Sequence, residues 1–393
     1  MDFIISSIGK FHSFSVAKEL NRQRKLRLFI TAHPRWKIDR YLIGKNNSVF
    51  IDFIQTFNLI SKKYTSLHNL NKELNWFSHH NFDLKSKIYL EKLFKNYNFK
   101  GDKKIVFLSL SGSGLYSGRF MRKLGILHLC DVGSTHIKNQ NIVLRNEFKK
   151  LKIKYHETDN RLIEKECLEF EEADKIIVPS NFVKKTFLKM NIPEKKLIKI
   201  PYGSDNFYFT YRNKRNYDGE NLIISFAGEF SIRKGLHYLL DYFGRLPKNI
   251  KKRLQLRLFG SFRSETKTLL SRYDNDNIFI KSSISQKSLS EQLNISDIYA
   301  ILSIEEGLSL TIPQAMSVGC IVIATPNTGA EEIIDNGVNG FIINHNFNEF
   351  LAVILLLIEN KDLRKKISNN AINSMNNNYG FKNYTDRLIK CVE

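Results

Sequence analysis

LIISFAGEFSIRKGLHYLLDYF, residues 222–243, holds in one run the unit from which the rest of the chain is built. Leu222–Ala227 is almost continuously apolar and reads as a strand buried on both faces. Gly228 turns the chain. Arg233, Lys234 and Gly235 then open a helix whose Leu236, Leu239, Leu240 and Phe243 recur at i, i+3, i+4 and i+7, one buried stripe. A strand followed by a helix that must bury such a stripe is half of a parallel crossover.

The same unit recurs in both directions. Toward the C-terminus strands are expected at Leu254–Phe259, Ile278–Lys281, Ile298–Ser303, Ile321–Ala324 and Gly340–Ile343. A second apolar stripe runs through Phe347, Phe350, Leu351, Ile354, Leu355 and Ile358, and the tail from Lys361 reads as two helices hinged near Tyr379–Gly380. Toward the N-terminus, Pro201–Glu220 is rich in Asn, Tyr, Gly and charge and breaks the alternation as a linker does. Before it, strands are expected at Phe3–Ser6, Leu28–Thr31, Ile105–Ser109, Leu127–Asp131, Lys175–Pro179 and Leu197–Ile200. Helices are expected at Ser13–Arg24, Tyr116–Leu124, Asn141–Leu151, Leu162–Ala173 and Asn181–Met190. The fold class is therefore α/β, with two doubly wound parallel-sheet domains facing an interdomain cleft. The boundaries fall at 1–205 and 206–378, with 379–393 as a terminal helix. Ligands in such sheets bind at the carboxyl ends of the strands, and the cleft between two domains is the default site.

Composition narrows the class. The 393 residues suffice for two cores, and 42% of them are hydrophobic, as in a globular protein. Met1–Phe14 lacks the basic start and long apolar core of a secretory signal. The longest apolar run, Phe350–Ile358, is too short to span a bilayer. Cys130, Cys167, Cys320 and Cys391 are scattered, which suggests neither a zinc site nor a disulfide framework and fits a reducing cytoplasm. No metal ligand set is expected. The net charge of +22 is uneven: residues 1–200 carry 38 Lys and Arg against 19 Asp and Glu, and residues 201–393 carry 23 against 20. Such a field attracts polyanions, and it also serves simple solubility. Nucleic acid is not an expected partner, because no recognition motif accompanies the charge.

Four segments carry chemistry. In SIEEGLSLTIPQAMSVG, Ser303–Gly319, a strand ends, a turn holds Glu305, Glu306 and Gly307, and a helix is expected from about Ser309, a fair N-cap. A helix N-terminus in a cleft suits phosphate. Glu306 suits sugar hydroxyls, and the Gln314 amide two turns on can bond a ribose diol. A surface turn with a satisfied carboxylate is the alternative. The second segment, FAGEFSIRKGLHY, places Arg233 and Lys234 at a helix start, a diphosphate-binding device or a solvated basic cap. The third, IISSIGKFHSF, Ile4–Phe14, turns at Gly9 after a strand as nucleotide-binding domains do, but lacks GxGxxG. In the fourth, CDVGSTH, Cys130–His136, Asp131 and His136 stand at the end of a strand, where His136 either reaches the cleft or is structural.

Taken in order, these segments resemble a family 4 glycosyltransferase of GT-B fold, that is, glycosyl transferases group 1. FAGEFSIRKGLHYLL, LRLFGS (Leu256–Ser261), Ser303–Gly319 and IVIATPNTGAEEIIDNGVNGFII (Ile321–Ile343) carry the likeness. ADKIIVPSNFVKKTFLKMNIPEKKLIKIPYGSD (Ala173–Asp205) and CDVGSTHIKNQ agree more loosely. The resemblance implies two Rossmann-like domains and a retaining, metal-independent transfer from a nucleotide diphosphate sugar, which is substrate rather than cofactor, so no cofactor is implied. The acceptor would be a glycan or lipid-linked glycan held by the N-terminal domain, and the final helix would pack back on that domain. Arg233 and Lys234 would hold the diphosphate, Glu306 the donor sugar hydroxyls, and Gly307, Leu310 and Gln314 would complete the donor site. Gly9 would approach the phosphate, and His136 would touch the transferred sugar. Lys234, Glu306 and His136 are thus the catalytic candidates. Two positions depart from the family: Glu229 stands where an Arg is common, and Gln314 replaces a Glu. An inactive sugar-nucleotide- or glycan-binding protein and a sugar-nucleotide epimerase remain as alternatives. Lys10–Arg27 and Lys85–Lys104 mix cations with Phe, Leu and Tyr, which suggests peripheral binding to an anionic membrane surface on its cytoplasmic face.

Overall fold

The computed structural model describes residues 1–33, 43–51, 54–58, 68–95, 104–204, 208–212, 221–263, 265–266, 277–282 and 284–393. The expected boundary at 205/206 and most of the expected linker lie outside the described residues.

The N-terminal half forms a seven-stranded sheet in the order β3-β2-β1-β4-β5-β6-β7. Its strands are β1 (Asp2–Ser7), β2 (Leu26–Thr31), β3 (Ser48–Phe50), β4 (Ile105–Leu110), β5 (Leu127–Asp131), β6 (Lys175–Val178) and β7 (Leu197–Lys199). The helices between them are α1 (Ser13–Arg22), α2 (His68–Phe94), α3 (Leu115–Lys123), α4 (Ile137–Lys150), α5 (Asn160–Glu172) and α6 (Asn181–Lys189). The C-terminal half forms a six-stranded sheet, β10-β9-β8-β11-β12-β13. It comprises β8 (Leu222–Ala227), β9 (Leu254–Phe259), β10 (Ile278–Lys281), β11 (Ile298–Ile301), β12 (Ile321–Ala324) and β13 (Phe341–Ile342). Its helices are α7 (Leu236–Arg245), α8 (Lys248–Lys251), α9 (Gln286–Asn294) and α10 (Thr311–Ser317), followed by α11 (Phe347–Glu359), α12 (Lys361–Asn378) and α13 (Phe381–Lys390).

Every strand pairing in both sheets is parallel. The fold is thus two doubly wound α/β sheets, as the alternating pattern predicts. In each sheet the strand order reverses once, between β1 and β4 and between β8 and β11. At such a switch point the flanking loops leave in opposite directions and open a crevice. The strands are apolar throughout because helices cover both sheet faces; all four residues of β11 and all four of β12 are buried.

Two elements differ from the sequence expectations. β3 is a three-residue edge strand, too short to show a period. The 27-residue α2 carries polar residues around most of its circumference, so its apolar period is weak. At the end of the chain, α13 lies on α1. Tyr384 OH donates to Asp131 Oδ2 at 2.8 Å, and Gln23 Nε2 donates to Thr385 Oγ1 at 3.1 Å.

The entry of α7 is set by one glycine. Gly235 has φ +67°, and a Cβ there would lie 1.7 Å from the carbonyl oxygen of Leu302, just past β11. Only a bare Cα lets the helix start this close to the neighbouring strand. Gly235→Ala should cost about 2–4 kcal/mol, the left-handed penalty plus overpacking. Urea unfolding at neutral pH measures it, and a loss below about 0.5 kcal/mol, as at an ordinary surface position, would contradict the assignment.

Candidate active site

The two switch-point crevices face each other, and the turn after β11 connects them. Glu305 is fully buried and belongs to the C-terminal domain, yet most of its partners come from the other domain. Its Oε1 accepts from Thr135 N (2.8 Å), Thr135 Oγ1 (2.9 Å) and Ser134 Oγ (3.0 Å). Its Oε2 accepts from Gln140 Nε2 (2.8 Å) and Arg233 Nη1 (3.0 Å). Burial alone would raise the Glu305 carboxyl. The Arg233 guanidinium and the bonds from Thr135 and Gln140 outweigh it and hold the pKa below the usual value.

Glu306 turns the other way. Its carboxylate forms an ion pair with Lys234 and lies 3.6 Å from Arg233 Nη1. Ser303 Oγ is 3.4 Å from Glu306 Oε1. Burial works against the Arg233 charge, but Glu306 and Glu305 more than compensate and keep it cationic. Two cations and two carboxylates therefore meet where α7 begins beside the end of β11. Gly307 follows, and a Cβ there would meet the Gly133 carbonyl oxygen at 2.4 Å, so the two domains touch backbone to backbone.

Three further contacts flank this junction. Ser180 caps α6, accepting from Val183 N at 3.2 Å, while its hydroxyl donates to Gly307 O at 2.7 Å. Glu332 accepts from Asn181 N at 2.6 Å and pairs with Lys199 at 2.8 Å. Glu147 on α4 accepts from Tyr238 OH at 2.9 Å and lies 3.2 Å from His237 Nε2. Between the domains a cavity of about 600 Å³ is lined by Gln140, Tyr155, Ser231, Arg233, Glu229 and Arg263, among others. That volume is ordinary for a small-molecule site. Glu229 is bound by Arg263 Nε at 2.6 Å, which brings a second arginine to the wall beside Glu229.

The structure thus brings Arg233, Lys234, Glu306 and Gly307 together. Leu310 and the half-buried Gln314 follow in the same turn and in α10. Gly9 lies in the loop after β1, where its carbonyl accepts from Ser7 Oγ at 2.9 Å. Three expectations need correction. His136 is 3% exposed, packs on the rings of Phe170 and Phe187, and caps α4 by accepting from Lys138 N at 3.3 Å. Burial, with Lys138 nearby, lowers its pKa to about 4, so it is a neutral core histidine and not a cleft residue. Ser309 is not the cap of α10. That helix has Leu310 at its N-cap position, and Ser309 Oγ pairs with Thr311 Oγ1 at 3.1 Å. With seven residues, α10 is also a weaker dipole than a helix reaching back to Ser309 would be. In Lys10–Arg27, finally, Phe14, Val16, Ala17 and Leu20 are core residues, so that stretch turns its apolar side inward.

Sequence reasoning placed Glu305 in the turn without a role and passed over Glu147, Glu332 and Arg263; the partners of these residues lie far along the chain. Ser180 carried a readable signal, since a Ser between a strand and a helix is a natural N-cap. Among the described residues, no three His, Cys, Asp or Glu side chains converge as metal ligands.

Two opposed doubly wound sheets with a charged βα turn in the cleft between them define the GT-B architecture. Residues 208–374 match the family model for glycosyl transferases group 1. That match makes residues 208–374 a glycosyl transferases group 1 domain. An uncharacterised glycosyltransferase of Methanocaldococcus jannaschii is 29% identical over 286 residues, 70% of this chain and 69% of that protein. Among solved structures, a glycosyltransferase from Rickettsia africae superposes with TM-score 0.67 at 19% identity, covering 99% of this chain and 97% of its own. HepE of Anabaena, in complex with UDP, superposes with TM-score 0.68 at 12% identity over 100% and 99%.

The cross-domain pair at Glu147 has a pH signature. Burial raises this carboxyl, but His237, Tyr238 and Lys150 overcome that and bring its pKa from 4.5 to about 2. A depressed carboxyl stabilises the fold above its unfolded pKa and loses that contribution as pH falls through the folded one. Wild type should therefore be more stable than Glu147→Gln at neutral pH, with the gap closing between pH 4.5 and about 2. Urea midpoints across that range test it, and a gap independent of pH would show that the ion pair contributes nothing.

Proposed function

We propose that the protein is a retaining hexosyltransferase that moves a sugar from a nucleotide diphosphate sugar to a glycan or lipid-linked acceptor without needing a metal. The observation that carries this reading is the meeting of Arg233, Lys234 and Glu306 at the C-terminal switch point, facing the cleft. Cleavage of the donor leaves negative charge on the diphosphate. Two positioned cations in a half-buried site can stabilise that charge without reorganisation. Glu306, already holding Lys234, sets the cation's position and offers its second oxygen to donor hydroxyls. Gln314 contacts the ribose, Gly307 and Leu310 shape the donor wall, and Gly9 lets the N-terminal loop approach the phosphates. HepE has been solved with UDP and with UDP-glucose, which makes uridine nucleotides the first donors to try.

Lys234→Ala should lower kcat by roughly 10²–10³, the usual cost of one positioned donor to a developing anion. Turnover of wild type should survive excess chelator. The assay follows release of nucleoside diphosphate from a panel of UDP- and GDP-sugars. Near-normal turnover of Lys234→Ala refutes the diphosphate assignment. Loss of activity in chelator, restored by magnesium or manganese, refutes metal independence. Donor binding with no turnover on any acceptor would favour the inactive sugar-nucleotide-binding reading.

The acceptor side is proposed to work at an anionic membrane surface on its cytoplasmic face. Among the described residues no helix is long and apolar enough to cross a membrane. α2 nevertheless presents Leu70, Phe77, Ile88 and Leu93 to solvent, with Lys85, Lys92 and Lys95 also exposed. Exposed apolar residues among lysines suit an anionic interface, at about 1 kcal/mol per well-placed cation. The protein should float with anionic vesicles at low salt, release at high salt and ignore neutral vesicles. Failure to bind anionic vesicles at low salt removes the membrane and leaves the transferase.

A further inference from the structure

The N-terminal sheet has a switch point of its own, and a cavity of about 240 Å³ lies there. Phe11 after β1, Leu110 and Ser111 at the end of β4, Gly133 after β5, and Phe170 and Glu166 of α5 contribute to its wall. Ser134, Thr135 and Gln140, all bound to Glu305, also line it, so the cavity adjoins the cross-domain junction.

Glu166 differs from its neighbours on α5. Lys165 is committed to Asp83 at 2.9 Å and to Gly112 O at 2.7 Å. Glu169 is committed to Ser109 Oγ and Gly112 N, both at 2.8 Å. These two side chains hold the loop after β4 in place. Glu166 enters none of the hydrogen bonds among the described residues, and it contributes to the cavity wall. Room for it is made by Gly112, at φ +78°, where a Cβ would stand 3.3 Å from Glu166 Oε1 and 3.2 Å from His79 Nδ1.

The charge state of Glu166 follows from its surroundings. Burial, reinforced by Glu169 and opposed by Lys165, raises its pKa to about 8. The titratable groups that bear on it are Glu169, Lys165 and Cys167 on its own helix, Cys130 of β5 and, across Gly112, His79 of α2. The raised pKa favours the protonated carboxyl around neutral pH, and in that form it can both donate and accept a hydrogen bond. A neutral group of that kind matches a hydroxyl better than a phosphate or an ammonium.

We infer that this cavity seats the terminal sugar ring of the acceptor, with Glu166 hydrogen-bonded to one of its hydroxyls and Phe11 and Phe170 packed on its apolar C–H surface. The inference rests on the transferase reading. The volume is below the ~300–1,000 Å³ of sites that enclose whole drug-sized ligands, so it suits one ring rather than an extended chain. Its position beside the Glu305 junction sets that ring next to Arg233, where the donor diphosphate is proposed to lie.

The test uses the full-length protein and defined probes: UDP, GDP, and the methyl glycosides of glucose, galactose, mannose and N-acetylglucosamine. Calorimetry and saturation-transfer NMR are run on wild type, Glu166→Gln and Glu166→Leu, with thermal melts to show that each variant is folded. Wild type should bind at least one methyl glycoside. Glu166→Leu should weaken that binding about tenfold or more while leaving nucleotide binding unchanged. Glu166→Gln keeps a donor and an acceptor, so it should restore most of the binding. It should also remove the change in affinity that wild type shows as pH rises through about 8. Equal glycoside binding by wild type and Glu166→Leu overturns the proposal. A protein that binds nucleotide but no methyl glycoside overturns it while sparing the donor site. Binding of neither nucleotide nor glycoside overturns the transferase reading together with it.

Discussion

A buried carboxylate holds the two halves of this protein in register. Taking the Glu305 charge out of water is costly, by several kcal/mol for an ion of this size even after relaxation. The cost is offset only while Ser134, Thr135, Gln140 and Arg233 all point at it. Three of those four residues belong to the N-terminal domain. A separated pair of domains would have to hydrate Glu305 or leave it facing Arg233 alone. The junction therefore favours one closed arrangement, and the close approach of Gly307 to Gly133 O narrows it further.

The same arrangement organises the charge that chemistry would use. Glu305 and Glu306 are consecutive, and their carboxylates divide the cations between them: Glu305 takes Arg233, and Glu306 takes Lys234 and approaches Arg233. Arg233 is the shared member. Its guanidinium bonds Glu305 Oε2 at 3.0 Å and Glu305 O at 3.1 Å, which leaves the rest of its fork available. Gly235 lets α7 begin against the end of β11, and that brings Arg233 and Lys234 within reach of both acids.

Much of this was legible before any coordinates, for reasons that can be named. Strands such as β8, β9 and β12 are continuous apolar runs because both sheet faces are covered, and such runs separated by helical stripes have few other solutions. The grouping of Arg233, Lys234 and Glu306 was legible because each stands at a βα turn beside a glycine, where a doubly wound sheet must place its crevice. α2 was not legible, because a helix with polar residues around most of its surface has no clear period. His136 misled because a histidine at a strand's end looks the same in sequence whether it faces the cleft or, as here, packs on Phe170 and Phe187. The partners of Glu305 lie 165–171 residues away in the N-terminal domain, and no local pattern encodes a contact at that separation.

The adjacency of Glu305 and Glu306 couples closure to chemistry. One peptide unit separates the carboxylate that senses the N-terminal domain from the one that positions Lys234. A change in the domain angle that pulls Thr135 and Gln140 from Glu305 leaves Arg233 as its partner within the C-terminal domain and acts directly on the turn that carries Glu306. Polar contacts flank this junction: Glu147 with Tyr238, Ser180 with Gly307 O, and Asn181 and Lys199 with Glu332. Polar contacts can exchange for water when domains separate at far smaller cost than buried apolar surface can. Contacts of this kind can be given up and remade as the two sheets move relative to each other. Such behaviour would suit the transfer proposed above, in which a cleft admits a charged donor, excludes water around it and then releases the product.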